Sequence, residues 1–247
     1  MKFAVSQEQW SYFRQHKTIE FEGLFSDEEI VLFSREVEEG VRRNLTADNN
    51  RHTSAAAGAG SEDVHKQEPG KSFEAGHNLW RVNPQIKDMI SQSRFGAIVS
   101  QLIEKKPLRL GYDQFFPSLG EENEESEASR YREFLSTSRT LTQISSIQGI
   151  LCGLFLSLSG NGRTLIPGGE GLFPTVAGNG VFFAPNQPIP FPALLHRRGY
   201  AYYLIVYVQV NSVYVRNRGD PHFWKLNKAG YQFGDRLIDE RNPLIYR

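Results

Sequence analysis

The sequence predicts a mainly β fold with flanking helices, in which N-terminal helices pack on one sheet of a jelly roll. Three observations carry this prediction. Helical spacing of apolar residues dominates the chain up to about residue 106. Short strand-like runs follow one another from residue 107, with almost no helical pattern between them. Gly-Asn-Gly and Pro-Gly-Gly punctuation separates those runs. We read residues 1–247 as one domain, with a mostly helical flank over 1–106 and a β core with its C-terminal tail over 107–247.

The helices come first. "SQEQ" at 6–9 sets Ser6 as an N-cap with Gln9 at the reciprocal position of a capping box. "SDEEIVLFSREVEEGVRR" repeats the device with Ser26 and Glu29, and Ile30, Leu32, Phe33, Val37 and Val41 mark its apolar face. Gly40 and the arginines after it predict an end near residue 43. Residues 46–76 are small, polar and aperiodic, which predicts a long mobile loop. Asn83 then caps a helix with Pro84 at its first position. Two short helices, or one kinked near Ser93, follow, with Ile86, Ile90, Phe95, Ile98, Val99 and Leu102 toward a core.

The strands come next. "LRLGYDQFF" alternates, so Tyr112 and Gln114 share one face and Asp113 takes the other. The acidic stretch at 120–133 reads as a solvated loop or short surface helix. "SRTLTQISSIQ", "ILCGLFLSLS", "RTLIP", "LFPTV", "GVFFAP" and "AYYLIVYVQVNSVYV" read as strands. In the last, Tyr203, Ile205 and Tyr207 share a face, and Tyr202, Leu204, Val206 and Val208 share the other. Both faces are apolar, which predicts a strand covered on both sides.

Composition narrows function by exclusion. Lys plus Arg number 28 and so do Asp plus Glu, a balance that argues against nucleic acid or an anionic membrane as partner. One cysteine, Cys152, excludes an internal disulfide or a Cys-based zinc site; in its apolar run it reads as a buried, inert thiol. The start "MKFAVSQEQW" turns polar too early for a signal peptide, and no run approaches ~18 apolar residues. The expectation is a soluble cytoplasmic protein. No glycine-rich segment has the form of a phosphate loop or dinucleotide fingerprint, and no Gly-x-Ser-x-Gly elbow is present.

The order of segments "LFSDEEIVLFSREVEE", "NLWRVNPQIKDMISQS", "LRLGYDQFF", "LFLSLSGNGRTLIPGG" and "GNGVFFAP...LLHRRGYAYYLIVYV" resembles the phytanoyl-CoA dioxygenase-like family over most of residues 20–245. The resemblance implies a cupin-like double-stranded β-helix and membership of the iron(II)- and 2-oxoglutarate-dependent oxygenases. It further implies a His-x-Asp/Glu pair, a distal His, and an arginine that holds the co-substrate carboxylate.

This sequence departs from that machinery. None of its histidines, at 16, 52, 65, 77, 196 and 222, has Asp or Glu two residues later. Ser145, Ser146, Ile147 and Gln148 stand where the ligand pair belongs. His196 has the layout of the distal ligand, but the strand after it carries no arginine or lysine. Arg109, Arg163, Arg197 and Arg198 are substitutes among which the sequence does not choose. One imidazole does not hold iron(II) against water. The bland reading of His196 is therefore a buried or half-buried ring bonded to backbone.

The reading is a divergent protein of this family that has lost the iron and 2-oxoglutarate site. It acts as a small-molecule-binding or interaction module, with no cofactor expected. The pocket candidates are Tyr112, Gln114, Ser146, Gln148, His196 and Tyr203. Two alternatives stay open. One is an atypical metal-dependent oxygenase using iron(II) and 2-oxoglutarate, with His196 joined by His77, Asp113 or a loop carboxylate. The other is a purely structural or partner-binding protein.

Overall fold

A computed structural model describes residues 4–52, 68–119, 130–160 and 171–247. The expected strand at 163–167, residue 65 and the acidic stretch at 120–129 lie outside these residues. One six-stranded antiparallel sheet organises the chain, in the order β1-β4-β3-β5-β2-β6. The strands are β1 (Thr18–Phe21), β2 (Leu108–Phe116), β3 (Ile147–Ser157), β4 (Gly180–Phe183), β5 (Tyr202–Tyr214) and β6 (Leu244–Tyr246). The sheet curls as a half-barrel with helices around it, a jelly-roll, cupin-like architecture. Its long central pair is β3 with β5, in register from Leu154↔Ile205 to Ser157↔Tyr202.

The alternation along β5 sets the two layers. Tyr203, Ile205 and Tyr207 enter a convex core beneath four helices: α1 (Gln7–His16), α2 (Asp27–His52), α4 (Pro84–Ile90) and α5 (Ser93–Ile103). Tyr202, Leu204, Val206 and Val208 enter a second core on the concave side. That side is closed by α3 (Pro69–Ala75), α6 (Arg130–Leu135), α7 (Leu141–Ile144) and a short 3-10 segment, Phe191–His196. The one-turn helix α8 (Lys225–Lys228) lies in the tail.

The capping reading at Ser6 and Ser26 matches the structure. Ser6 Oγ accepts from Gln9 N at 3.1 Å and Gln9 Oε1 from Ser6 N at 2.9 Å. Ser26 and Glu29 exchange the same two bonds. Asn83 Oδ1 accepts from Gln85 N and Ile86 N ahead of Pro84. All six apolar residues expected between Ile86 and Leu102 are buried.

Six expectations are corrected. Helix α2 does not stop near residue 43 but runs to His52, because Gly40 is a packing glycine. A β-carbon there would lie 3.3 Å from Leu79 Cδ2, so the missing side chain lets the helix approach the 3-10 turn Leu79–Arg81. Leu32 points outward instead of into the core. The segment 46–76 is not a loop throughout, since α3 forms from Pro69 with Phe73 and Ala75 buried. The run expected as a strand from 138 begins as α7, because Thr140 and Gln143 make a capping box; the "LFPTV" stretch is irregular. The region read as helical also supplies β1, which pairs with β4 at one edge of the sheet. Among the described residues no helix is long and apolar enough to cross a membrane.

Candidate functional site

The concave side of the half-barrel is where a jelly roll houses a ligand, and here aromatic rings fill most of it. Phe155 stacks on Phe183 with centroids 5.2 Å apart and meets Phe116 edge-on at 5.7 Å. Phe116 continues to Phe73 and Phe191, and Phe134 packs against both of those. Offset and edge-on pairs of this kind add to the burial that holds the layer. Beside these rings lies a cavity of about 20 Å³, room for about one water. Tyr112, Gln114, His77, His222 and Asp220 supply its polar wall.

Local backbone chemistry positions each of these groups. Residues 76–78 lie along β2: Phe115 N donates to Gly76 O and Asn78 N to Asp113 O. A β-carbon at Gly76 would sit 2.6 Å from Phe115 Cβ, so only glycine permits this approach. His77 is thereby held beside Gln114, whose Oε1 lies 3.1 Å from His77 Nδ1. Gln114 Nε2 is fixed in turn by the carbonyls of Phe73 and Phe115. Asp220 forms a turn in "DPH": Oδ1 accepts from His222 N at 2.7 Å, and Oδ2 accepts from Ser146 N at 2.8 Å.

The two imidazoles stack with centroids 4.4 Å apart and planes 33° from parallel. Burial holds His77 well below the usual histidine range, and the neighbouring His222 and Lys225 push the same way. Burial, with Lys225, does the same to His222. His222 Nε2 is buried and has no hydrogen-bond partner. Burial raises the Asp220 carboxyl, against the bonds from Ser146 and His222. Tyr112 is raised by burial and by Asp220, so it stays a neutral phenol. Burial thus disfavours the charged form of every titratable group in this wall.

These donors do not fit an iron centre. The two rings pack on one another at a tilt of 33°, and His77 Nδ1 is already paired with Gln114 Oε1. Both Asp220 oxygens are occupied by backbone N–H groups. Among the described residues, no group of three His, Cys, Asp or Glu is placed to hold a metal ion.

The six pocket candidates separate in space. Tyr112 and Gln114 line the cavity together. Ser146 is buried behind it through its bond to Asp220. Gln148 is exposed on the sheet. Tyr203 belongs to the convex core, edge-on to Phe33 at 5.0 Å. His196 is exposed at the end of the 3-10 segment, which corrects the expectation of a buried ring. The reason is local: Arg197 takes the inward direction and donates from Nη1 to Phe173 O and Tyr202 Oη.

The alternative metal partners of His196 are held apart from it. His77 is buried on the concave side of β2. The Asp113 carboxylate lies on the other side and caps the turn through Leu79 N at 2.7 Å and Trp80 N at 3.1 Å. Of the substitute arginines, Arg109 is buried and bonded to Asn242 O and Asp239, Arg198 is exposed, and Arg163 lies outside the described residues. Cys152 is buried, and burial pushes its thiol up to about 12. Sequence reasoning missed His222, Asp220 and Phe73; only the Asp-Pro-His turn signal marked the first two.

No protein-family model and no curated protein sequence matches the chain. Solved structures do. The non-heme α-ketoglutarate-dependent carbocyclase SnoK of nogalamycin biosynthesis superposes with a TM-score of 0.63 at 12% identity, covering 97% of this chain and 96% of that one. The chain shares its fold with non-heme α-ketoglutarate-dependent enzymes. The epimerase SnoN, in complex with Fe3+, α-ketoglutarate and nogalamycin RO, gives 0.52 at 13% identity over 97% and 98% of the two chains. CytC3 with Fe(II) and α-ketoglutarate gives 0.52 at 16% identity over 96% and 86%. At such identity the likeness speaks for architecture alone.

Proposed function

We propose that this chain is a divergent, phytanoyl-CoA dioxygenase-like protein of the oxygenase fold that has given up the iron and 2-oxoglutarate chemistry. It works as a binding module for a small molecule. The observation that carries the reading is the stacked His77–His222 pair. The pair packs ring on ring with His77 Nδ1 taken by Gln114, beside a carboxylate already used by two backbone donors. The aromatic filling of the interior supports the loss of the oxygenase chemistry, since a substrate and a co-substrate do not fit in a cavity of about 20 Å³, and it equally suits the alternative of a structural or partner-binding protein.

The test is anaerobic calorimetric titration of the purified chain with iron(II), followed by oxygen uptake in the presence of 2-oxoglutarate. The expected result is no saturable micromolar iron binding and no oxygen-dependent succinate. One tightly bound iron per chain, or succinate formation that stops on chelation, overturns the reading.

A further inference from the structure

The two histidines form a partition. His77 lines both the interior cavity and a surface cleft of about 330 Å³, and His222 lines the same cavity and a second cleft of about 260 Å³. His222 belongs to residues 221–230, a stretch fixed at its two ends. Before it, Asn217 Nδ2 donates to the carbonyls of Thr142, Gln143 and Ser145, and Asp220 Oδ2 accepts from Ser146 N. After it, Tyr231 Oη donates to Asn242 Oδ1 and accepts from Ile238 N. Between those anchors only His222 and Leu226 are buried. So few buried side chains mark a segment that opens without the rest of the molecule.

Hydrogen bonds and ring packing tie this stretch to the body. Tyr214 Oη donates to Phe223 O at 2.7 Å, and Lys225 Nζ donates to Glu74 O in α3. His222 packs 4.4 Å from His77 and 5.3 Å from Phe73. That packing has no place for an added proton. An imidazolium carries N–H on both nitrogens. His222 Nε2 is buried and has no hydrogen-bond partner, so its N–H would stand unpaired. At His77, Nδ1 donates to Gln114 Oε1, because the Gln114 amide nitrogen is committed to the Phe73 and Phe115 carbonyls. The cations that act on the pair are Lys225 and, at His77, Arg81; the neutral Tyr112 ring packs on His77 at 5.4 Å. Asp220 has both carboxylate oxygens taken by backbone N–H groups. Glu68 and Glu74 line the outer cleft, exposed to water and matched there by Lys71 and Arg130.

We propose that residues 221–230 are an acid-released flap: protonation of the His77–His222 pair parts the flap from His77 and α3, and joins the interior cavity to both surface clefts. Two like charges at 4.4 Å drive the rings apart, and water reaches His222 Nε2 once the flap is off. Pro221 and His222 leave the cavity wall, which uncovers Phe73, Phe116 and Phe134. The charge change is at the imidazoles and the two-state element is the flap. The aromatic interior thereby gains an entrance that its closed form lacks.

The test is amide hydrogen exchange of the full chain at pH 7 and pH 5, corrected for intrinsic rates. The reporters are the amides of Lys225, Ala229 and Tyr231, bonded in the closed form to the carbonyls of His222, Lys225 and Leu226. One helical turn does not persist away from the surface that supports it, so these bonds are lost when the flap leaves. Two rings that return to a pKa of about 6.5 in the open form raise opening by up to roughly 600-fold over this range, and one ring by roughly 25-fold. The flap amides are expected to lose about 100-fold protection or more. Amides of β3 and β5 should stay at least about tenfold better protected at both pH values, and flap exchange should be nearly indifferent to low urea.

In His222→Phe or His77→Phe the loss should not exceed about 25-fold, the limit for one ring. Either variant serves, so a folding failure in one leaves the other. Flap protection that is the same at pH 7 and pH 5 overturns the proposal. So does exchange in step with β3 and β5, which is global unfolding, or a loss in a folded single-ring variant as large as that of the native chain.

Discussion

The rings of His77 and His222 lie 4.4 Å apart inside the molecule, one brought by the strand-like segment before the first 3-10 turn and the other by the Asp220 turn. Both are held neutral by burial, so folding is coupled to their protonation. Below about pH 6.5 the unfolded chain binds protons that the folded chain refuses. Stability contributed by the pair is therefore present above pH 6.5 and is lost as pH falls below it. The limiting slope is ~1.4 kcal/mol per pH unit for each ring. Lys225, and Arg81 on the His77 side, add to this, while the hydrogen bond with Gln114 opposes it at His77. In His222→Phe, which keeps the stack on Phe73, the acid loss measured by urea unfolding from pH 8 to pH 5 should fall to roughly half. An unchanged slope would show that the pair does not titrate with unfolding.

Asp113 has the opposite sign. Burial pushes its carboxyl up to about 6 from 3.8, against the bonds from Trp80 and Leu79. Between those values the folded chain holds a proton that the unfolded chain has released, so this group lowers stability as pH rises through the window. The effect is about 3 kcal/mol in total. Asp113→Asn removes the titration while giving up one of the two acceptors at the turn. The stability of the variant relative to the native chain should therefore rise by about 3 kcal/mol between pH 4 and pH 7. Parallel pH profiles for the two proteins would refute the burial argument.

What was legible in the sequence were the features fixed by local spacing. The two faces of β5 follow from alternation along "YYLIVYV", and the caps at Ser6, Ser26 and Asn83 follow from one residue type at one position. Gly40 misled because a helix-breaking propensity and a packing requirement write the same letter; only the approach of Leu79 separates them. The histidine pair was not legible, because residues 77 and 222 meet through the fold and neither carries a motif. His196 misled for the reverse reason. Its place in the chain matched a ligand, yet its neighbour Arg197 had the better buried partners.

The filled interior makes a specific demand on Gly153 in β3. A β-carbon there would lie 2.4 Å from Phe183 Cζ and 2.8 Å from Leu141 Cδ1, both fully buried. Phe183 is itself stacked on Phe155, so the ring has no free direction in which to move. Gly153→Ala should cost about 2–3 kcal/mol by overpacking, read as a lower urea midpoint with an unchanged slope. A neutral result would mean that the aromatic layer is looser than its ring contacts imply.

His196→Ala is the variant on which the family-like reading and the structure differ most. A distal iron ligand would be indispensable to metal content and function. An exposed ring at the end of a 3-10 segment contributes little, and the inward contacts at this corner belong to Arg197. His196→Ala is expected to change stability by no more than about 0.5 kcal/mol. Arg197→Ala leaves Tyr202 Oη and Phe173 O without their buried donor and should cost about 2–4 kcal/mol. Thermal and urea unfolding of the two variants side by side decides the matter. If the histidine variant is the more damaged of the pair, the inward role given to Arg197 is wrong.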